Sequence, residues 1–271
     1  MGSSSVTENS FRETTLGKTG RVVGRIAVSG GYGVPAGAVE MAFERGCNYF
    51  YHGSFRKKGM NEAIKNLCAA GKRDELFIVA QVYTRWGWQF RRSFYSFLKK
   101  TGLDYADALL LGWYNSTPSP KILDICAELR EKGLVRHIAI SGHNRPAFPV
   151  FAEKGVGDIF HIRYNAAHRG ADSDVFPMLK GDRPGTVAYT ATSWGQLLKK
   201  GKMPAGEMVP RASDCYRFVL SNPNFDLCMT GPADTAQMGE ALAALDRGAM
   251  SEEELAWMRR VGDHVSRKSF R

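Results

Sequence analysis

No stretch of this 271-residue chain approaches the ~18–20 consecutive apolar residues that span a bilayer, so no transmembrane helix is expected. The opening MGSSSVTENSF is polar and has no apolar signal core, so no export signal is expected. Gly2 with Ser5 is faintly similar to an acylation motif, but a Ser/Gly start is common and reads better as an expression tag. Cysteine is sparse. Cys47, Cys68, Cys126, Cys215 and Cys228 are scattered, odd in number and without a Cys-x-x-Cys pair. That pattern argues against a disulfide framework and against a zinc or iron–sulfur site, and a reduced cytoplasm is the expected setting. Acidic residues are the minority, 27 against 37 basic ones, for a formal net charge of +10. The excess suits an anionic small ligand or a merely solvated basic surface. The densest basic runs are Arg56-Lys57-Lys58 and the tail from Arg259 to Arg271. No paired Cys/His finger and no base-stacking strand signature accompany them, so no nucleic-acid partner is expected.

What is present is a repeated strand-then-helix pattern. Short apolar runs at 25–29, 48–51, 76–81, 108–111, 135–141, 158–163, 186–190 and 226–230 read as strands. The nearly unbroken Leu76-Phe77-Ile78-Val79-Ala80 suits a parallel strand covered on both faces. Helical spacing fills 35–45, 59–70, 90–100, 120–132, 146–154, 212–221, 235–247 and 251–264. Gly133 reads as a helix stop, and Ser251-Glu252-Glu253-Glu254 as a capping box. Eight strand–helix units predict an α/β fold, a (β/α)8 TIM barrel, with a flexible segment 1–13 and a single domain over 14–271. In such a barrel the active site lies on the loops at the carboxyl ends of the strands.

Several stretches resemble the aldo-keto reductase superfamily, in order along the chain. Thr15-Leu16-Gly17-Lys18-Thr19-Gly20 resembles its N-terminal β-hairpin, which closes the bottom of the barrel. Glu44-Arg45-Gly46-Cys47-Asn48-Tyr49-Phe50 resembles the stretch before its catalytic acid. Gly102-Leu103-Asp104-Tyr105-Ala106-Asp107, Gly133 through Ser141, Arg163-Tyr164-Asn165 and Val187-Ala188-Tyr189-Thr190 resemble further family motifs. The resemblance implies carbonyl reduction with NADPH. A tyrosine protonates the oxygen, a lysine paired with an aspartate lowers its pKa, and a histidine orients the substrate.

Carried over residue by residue, none of the four is retained. The aspartate falls on Tyr51, the tyrosine on Arg56, the lysine on Gln81 and the histidine on Gly112. The chain therefore reads as a divergent member with a degenerate tetrad. On the cofactor side Ser141, Asn165, Tyr189, Thr190 and Gly231 match binding positions, while the neighbouring Asn is Gly142 and a Gln falls near His161. The Arg and Ser expected to clamp a 2′-phosphate fall on Ala233 and Asp234, which opposes NADP(H). NAD(H) and NADP(H) both stay open, and the cofactor is undetermined.

The rim gathers candidates of another kind. Tyr51, Arg56, Gln81 and His143 are the catalytic candidates. His52, Ser54, Tyr83, Trp113, Arg163, His168 and Arg169 are the substrate-binding candidates for a planar anion. Each has a plain alternative: Tyr51 as filler, Trp113 as wall, His143 as a helix cap, Arg163 paired to an acid, Arg169 solvated. His52, His143 and His168 lie on three loops with no metal-ligand spacing, and no metal is expected. Three functions are compatible: non-redox binding or chemistry on an anionic small molecule, an oxidoreductase with an atypical proton donor, or a non-catalytic scaffold. A monomer is slightly favoured over an oligomer.

Overall fold

The computed structural model describes residues 11–179 and 181–269; Gly2, Ser5 and Arg271 lie outside the described residues, as does most of the segment 1–13. Strands β1 (Glu13–Thr15) and β2 (Val22–Gly24) pair antiparallel as a hairpin, with Glu13 opposite Gly24. Eight further strands follow: β3 (Ile26–Ser29), β4 (Tyr49–Tyr51), β5 (Phe77–Val82), β6 (Ala106–Leu111), β7 (Val135–Ser141), β8 (Ile159–Arg163), β9 (Gly185–Tyr189) and β10 (Leu227–Thr230). They close into a barrel in the order β10-β3-β4-β5-β6-β7-β8-β9, every neighbouring pair parallel. Helices alternate with them: α1 (Ala36–Glu44), α2 (Lys58–Ala69), α3 (Gly87–Thr101), α4 (Pro120–Glu131), α5 (Ala147–Glu153), the single turn α6 (Ala171–Asp174), α7 (Ala212–Leu220), α8 (Thr235–Arg247) and α9 (Glu252–Ser269). The (β/α)8 barrel is thus the fold. Among the described residues no helix is long and apolar enough to cross a membrane.

Successive side chains of a strand point to opposite faces, so each barrel strand feeds two cores. Tyr49, Phe77, Val79, Ala108, Leu110, Ala139, Ile159, Val187 and Leu227 fill the barrel interior. Ile26, Val28, Phe50, Ile78, Leu109, Ile140, Phe160 and Ile162 face outward, against helix residues such as Val39, Met60, Phe90 and Phe148. Full burial of one such side chain contributes about 1.5–3 kcal/mol, so Phe160→Ala, which also leaves a cavity, should cost about 3–5 kcal/mol. Leu16, at the hairpin turn, is fully buried with the interior set and closes the barrel floor.

Two local readings of the sequence are visible here. Gly133 takes φ 68° at the end of α4, the left-handed stop that glycine adopts at least cost. Ser251 and Glu254 form a reciprocal cap on α9: the Glu254 N–H donates to Ser251 Oγ at 3.3 Å, and the Ser251 N–H donates to Glu254 Oε2 at 2.9 Å. The Asp107 of the family-like motif is structural. Its buried carboxylate accepts from the Ile78 N–H at 2.9 Å and pairs with Arg73 at 2.9 Å, stapling β6 to β5.

Candidate ligand site at the barrel mouth

The carboxyl ends of the strands carry the backbone strain of this molecule. Among the described residues, five that are not glycine have positive φ: Arg56 at 45°, Trp113 at 60°, Thr190 at 61°, and Ser193 and Trp194 at 51°. They sit on the loops after β4, β6 and β9, at one end of the barrel. A β-branched threonine in this region is a genuine outlier, and such strain concentrates at binding and catalytic loops.

Inside the mouth, the Tyr51 hydroxyl donates to Gln81 Oε1, which also accepts from Ser54 Oγ at 3.2 Å. Gln81 Nε2 is buried without an acceptor among the described residues. An unsatisfied buried donor costs about 1–3 kcal/mol. Burial, then the neighbouring phenols of Tyr83 and Tyr32, push the Tyr51 hydroxyl well above the ordinary tyrosine range. An acid-catalysing phenol needs the opposite shift, which a nearby ammonium would supply. Gln81 has none to offer.

Two glycines are the floor under aromatic rings. A Cβ on Gly112 would lie 2.3 Å from Cδ1 and Cε1 of Tyr83, and one on Gly231 would lie 2.5 Å from the Tyr32 ring. Tyr83 packs on Trp113 with ring centres 5.0 Å apart, and Trp113 meets His143 edge-on at 6.3 Å. Arg85 fixes this wall. Its guanidinium donates to the carbonyls of Tyr83 at 2.6 Å, Gly112 at 2.9 Å and Trp113 at 2.7 Å, and it lies over the Tyr114 ring at 3.6 Å. On the other side, Arg163 donates to His143 Nδ1 at 3.2 Å and lies 5.3 Å from the Trp194 ring. Burial, then Arg163, lower the His143 pKa, so the imidazole is neutral at pH 7 and accepts the guanidinium bond. No acid pairs with Arg163 among the described residues, in contrast to Arg145, which is bound to Asp174 at 2.7 Å.

The structure separates the other candidates from this group. His52 is 1% exposed and turned into the layer behind the strands, edge-on to Phe97, with Nε2 2.6 Å from Asn61 Oδ1. A ligand-facing His52 is thereby corrected: its ring fills a packing position. Arg169, partly exposed, pairs with Asp263 at 2.6 Å and donates to the Ala166 carbonyl. It lines an off-axis cavity of about 540 Å³ with Gly170 and Arg267. His168 stays near Asn165, its Nδ1 3.4 Å from Oδ1. Arg56 stands exposed on the loop before α2.

The expected cofactor positions are mostly occupied by internal bonds. Asn165 is fully buried, donating to the Thr190 carbonyl at 2.8 Å and accepting from the Ala167 N–H at 2.9 Å. Ser141 Oγ accepts from the Trp113 N–H at 3.3 Å, and the Tyr189 hydroxyl donates to the Gly142 carbonyl at 3.3 Å. His161 is buried with Nε2 2.7 Å from the Tyr49 hydroxyl. Asp234 caps α8: its Oδ1 accepts from the Gln237 N–H at 2.8 Å, so a carboxylate holds that helix end. Among the described residues no three His, Cys, Asp or Glu side chains are gathered so as to hold a metal ion. Tyr32 and Arg85 were not among the sequence candidates. Tyr32 follows two glycines at a strand end, which was a signal; nothing in the sequence marks Arg85 as the wall's clamp.

The profile of the aldo/keto reductase family matches residues 36–214, well over half of the chain. The chain belongs to the aldo/keto reductase family. Solved aldo-keto reductases share its fold at low identity. One from Klebsiella pneumoniae, in complex with NADPH, gives a TM-score of 0.75 at 21% identity, covering 93% of this chain and 95% of that one. The Klebsiella pneumoniae enzyme with NADP and acetate gives 0.75 and 21%, covering 93% and 96%. The thermostable aldo-keto reductase Tm1743, with the inhibitor epalrestat, gives 0.71 and 20%, covering 92% and 99%. No curated protein matches this aldo/keto reductase family member significantly by sequence.

Proposed function

We propose that this aldo/keto reductase family member binds a small, planar, anionic molecule at the barrel mouth and does not carry out carbonyl reduction by the family's tetrad. The observation that carries the reading is Arg163: a guanidinium at the mouth, bonded to neutral His143, beside Trp194, with no acid for a partner among the described residues. A guanidinium in that setting favours a carboxylate or phosphate, and Trp113 and Tyr83 supply an apolar wall. The tetrad places oppose reduction. Tyr51 is bonded to Gln81, and Tyr83 covers Gly112, so neither an ammonium nor an imidazole stands where the resemblance puts them.

The cofactor end of the cleft fits poorly to NADP(H). The Asp234 carboxylate would face a 2′-phosphate, and His161 and Asn165 have their amide-recognising atoms engaged. No step is therefore assigned to a nicotinamide. The test is a thermal-shift screen of aromatic carboxylates and phosphates against the full chain and its Arg163→Met variant. A ligand that stabilises the former and not the latter supports the reading. Equal shifts in both, or a response confined to uncharged compounds, would sink it.

A further inference from the structure

We propose that the outer wall between α2 and α3 holds a second binding site, for a small phosphate-type anion, and that Asn61 and His52 couple its occupancy to the barrel mouth. A cavity of about 350 Å³ lies there, lined by Lys58, Asn61, Glu62, Lys65, Asn66 and Lys100. That is the low end of the range of about 300–1,000 Å³ in which proteins hold small ligands. The Lys57 ammonium stands close by, donating to the Gly53 carbonyl at 3.4 Å.

Charge is what singles out this cavity. Three lysines line it, a fourth, Lys57, stands near Lys100, and Glu62 is the one acid in its lining. Lys18–Asp158, Lys72–Glu75 and Lys132–Glu128 are ion-paired, whereas none of these four is, among the described residues. The amino end of α2 adds to the field, since Lys57 makes no capping bond and the first turn has no acid. Burial is the main cause that lowers the Lys57 pKa, and repulsion from Lys100 lowers it further. A ligand of charge −2 or more would relieve that repulsion. Ammonium groups act as point charges without a planar fork, which suits a tetrahedral phosphate better than a bidentate carboxylate.

Asn61 belongs both to the cavity lining and to the mouth's support. Its Oδ1 is 2.6 Å from His52 Nε2, and His52 directly follows Tyr51, with its N–H donating to the Val79 carbonyl at 3.1 Å. The cations that face His52 are Lys57 and Lys100, which join its burial in holding the ring neutral. An anion beside them changes the field at His52 and the set of Asn61.

The experiment is a calorimetric titration of the full chain with inorganic pyrophosphate at low salt, repeated on Lys65→Gln/Lys100→Gln and on Arg163→Met. Saturable binding is expected, weakened at least ~10-fold by the lysine pair and changed less than ~2-fold by the mouth variant. The His52 imidazole resonances should shift on saturation. No saturation up to millimolar, or a lysine pair that binds as the unaltered chain does, overturns the site. Weakening by Arg163→Met as large as by the lysine pair also overturns it, and moves the anion to the mouth. Saturation with unmoved His52 resonances overturns the coupling.

Discussion

Replacing Gly112 by alanine should displace the Tyr83 ring, and the effect should vanish once that ring is removed. The added Cβ would sit 2.3 Å from two ring atoms of Tyr83, far inside contact distance. Such overpacking typically costs about 1–3 kcal/mol. Tyr83 is 40% exposed, so its ring can swing outward instead. That escape forfeits the contact with Trp113, and an aromatic pair is worth about 0.5–1.5 kcal/mol beyond its buried area. Tyr83→Ala alone loses the same pair. On that background Gly112→Ala meets no obstacle, because Gly112 is not among the residues with positive φ. It should then be neutral, or stabilising by about 0.4–1 kcal/mol through the unfolded chain. The double-mutant cycle, read from urea unfolding of the four proteins, should show a coupling of about 1–2 kcal/mol, beyond the ~0.3–0.5 kcal/mol within which independent sites add. Additive costs would refute the claim that Gly112 is glycine because Tyr83 lies upon it. The functional reading of the mouth would lose its wall with it.

Three further outcomes are expected. Tyr51→Phe should fold and lose about 0.5–1.5 kcal/mol in urea unfolding, the worth of its bond to Gln81; a loss above about 3 kcal/mol would mean that the hydroxyl supports a larger network. NADPH should bind no more tightly than NADH, because the Asp234 carboxylate caps α8; tryptophan quenching checked by calorimetry decides this, and micromolar NADPH binding would reverse the assignment of the cleft. Stability should fall on acidification in a window set by two buried imidazoles. Burial holds His161 at about 3 and His52 at about 4, against 6.5 ordinarily. The unfolded chain takes up these protons first, so their contribution is complete above about pH 6.5 and is lost as pH falls toward 4 and 3. For His52 the loss is on the order of 3 kcal/mol. His161→Gln should flatten the pH dependence of the urea midpoint, and an unchanged slope would contradict a neutral buried His161.

The barrel was legible because its signals are local and repeated. Strand runs such as 135–141 and stops such as Gly133 are set by period and by backbone sterics, which neighbours only reinforce. The mouth was legible as a set of loops, since chain order fixes which residues follow each strand. What each side chain does there was not. His52 and Tyr51 are adjacent in sequence, yet one backs onto Phe97 and the other enters the barrel, because consecutive strand residues face opposite sides. Arg163 and Arg169 look alike in sequence, but only Arg169 meets a carboxylate, Asp263, which is 94 residues away along the chain.

The sequence by itself determined the (β/α)8 barrel and its floor hairpin. Residue types and their order suffice for those. Only the tertiary structure decided which cations are spent on partners and which stand free. It also decided that Tyr83 and Tyr32 lie on glycines, and that Arg85 grips three carbonyls. These depend on distances between strands that the chain joins late, and a charge or a ring acquires its role from what the fold places within a few ångströms of it.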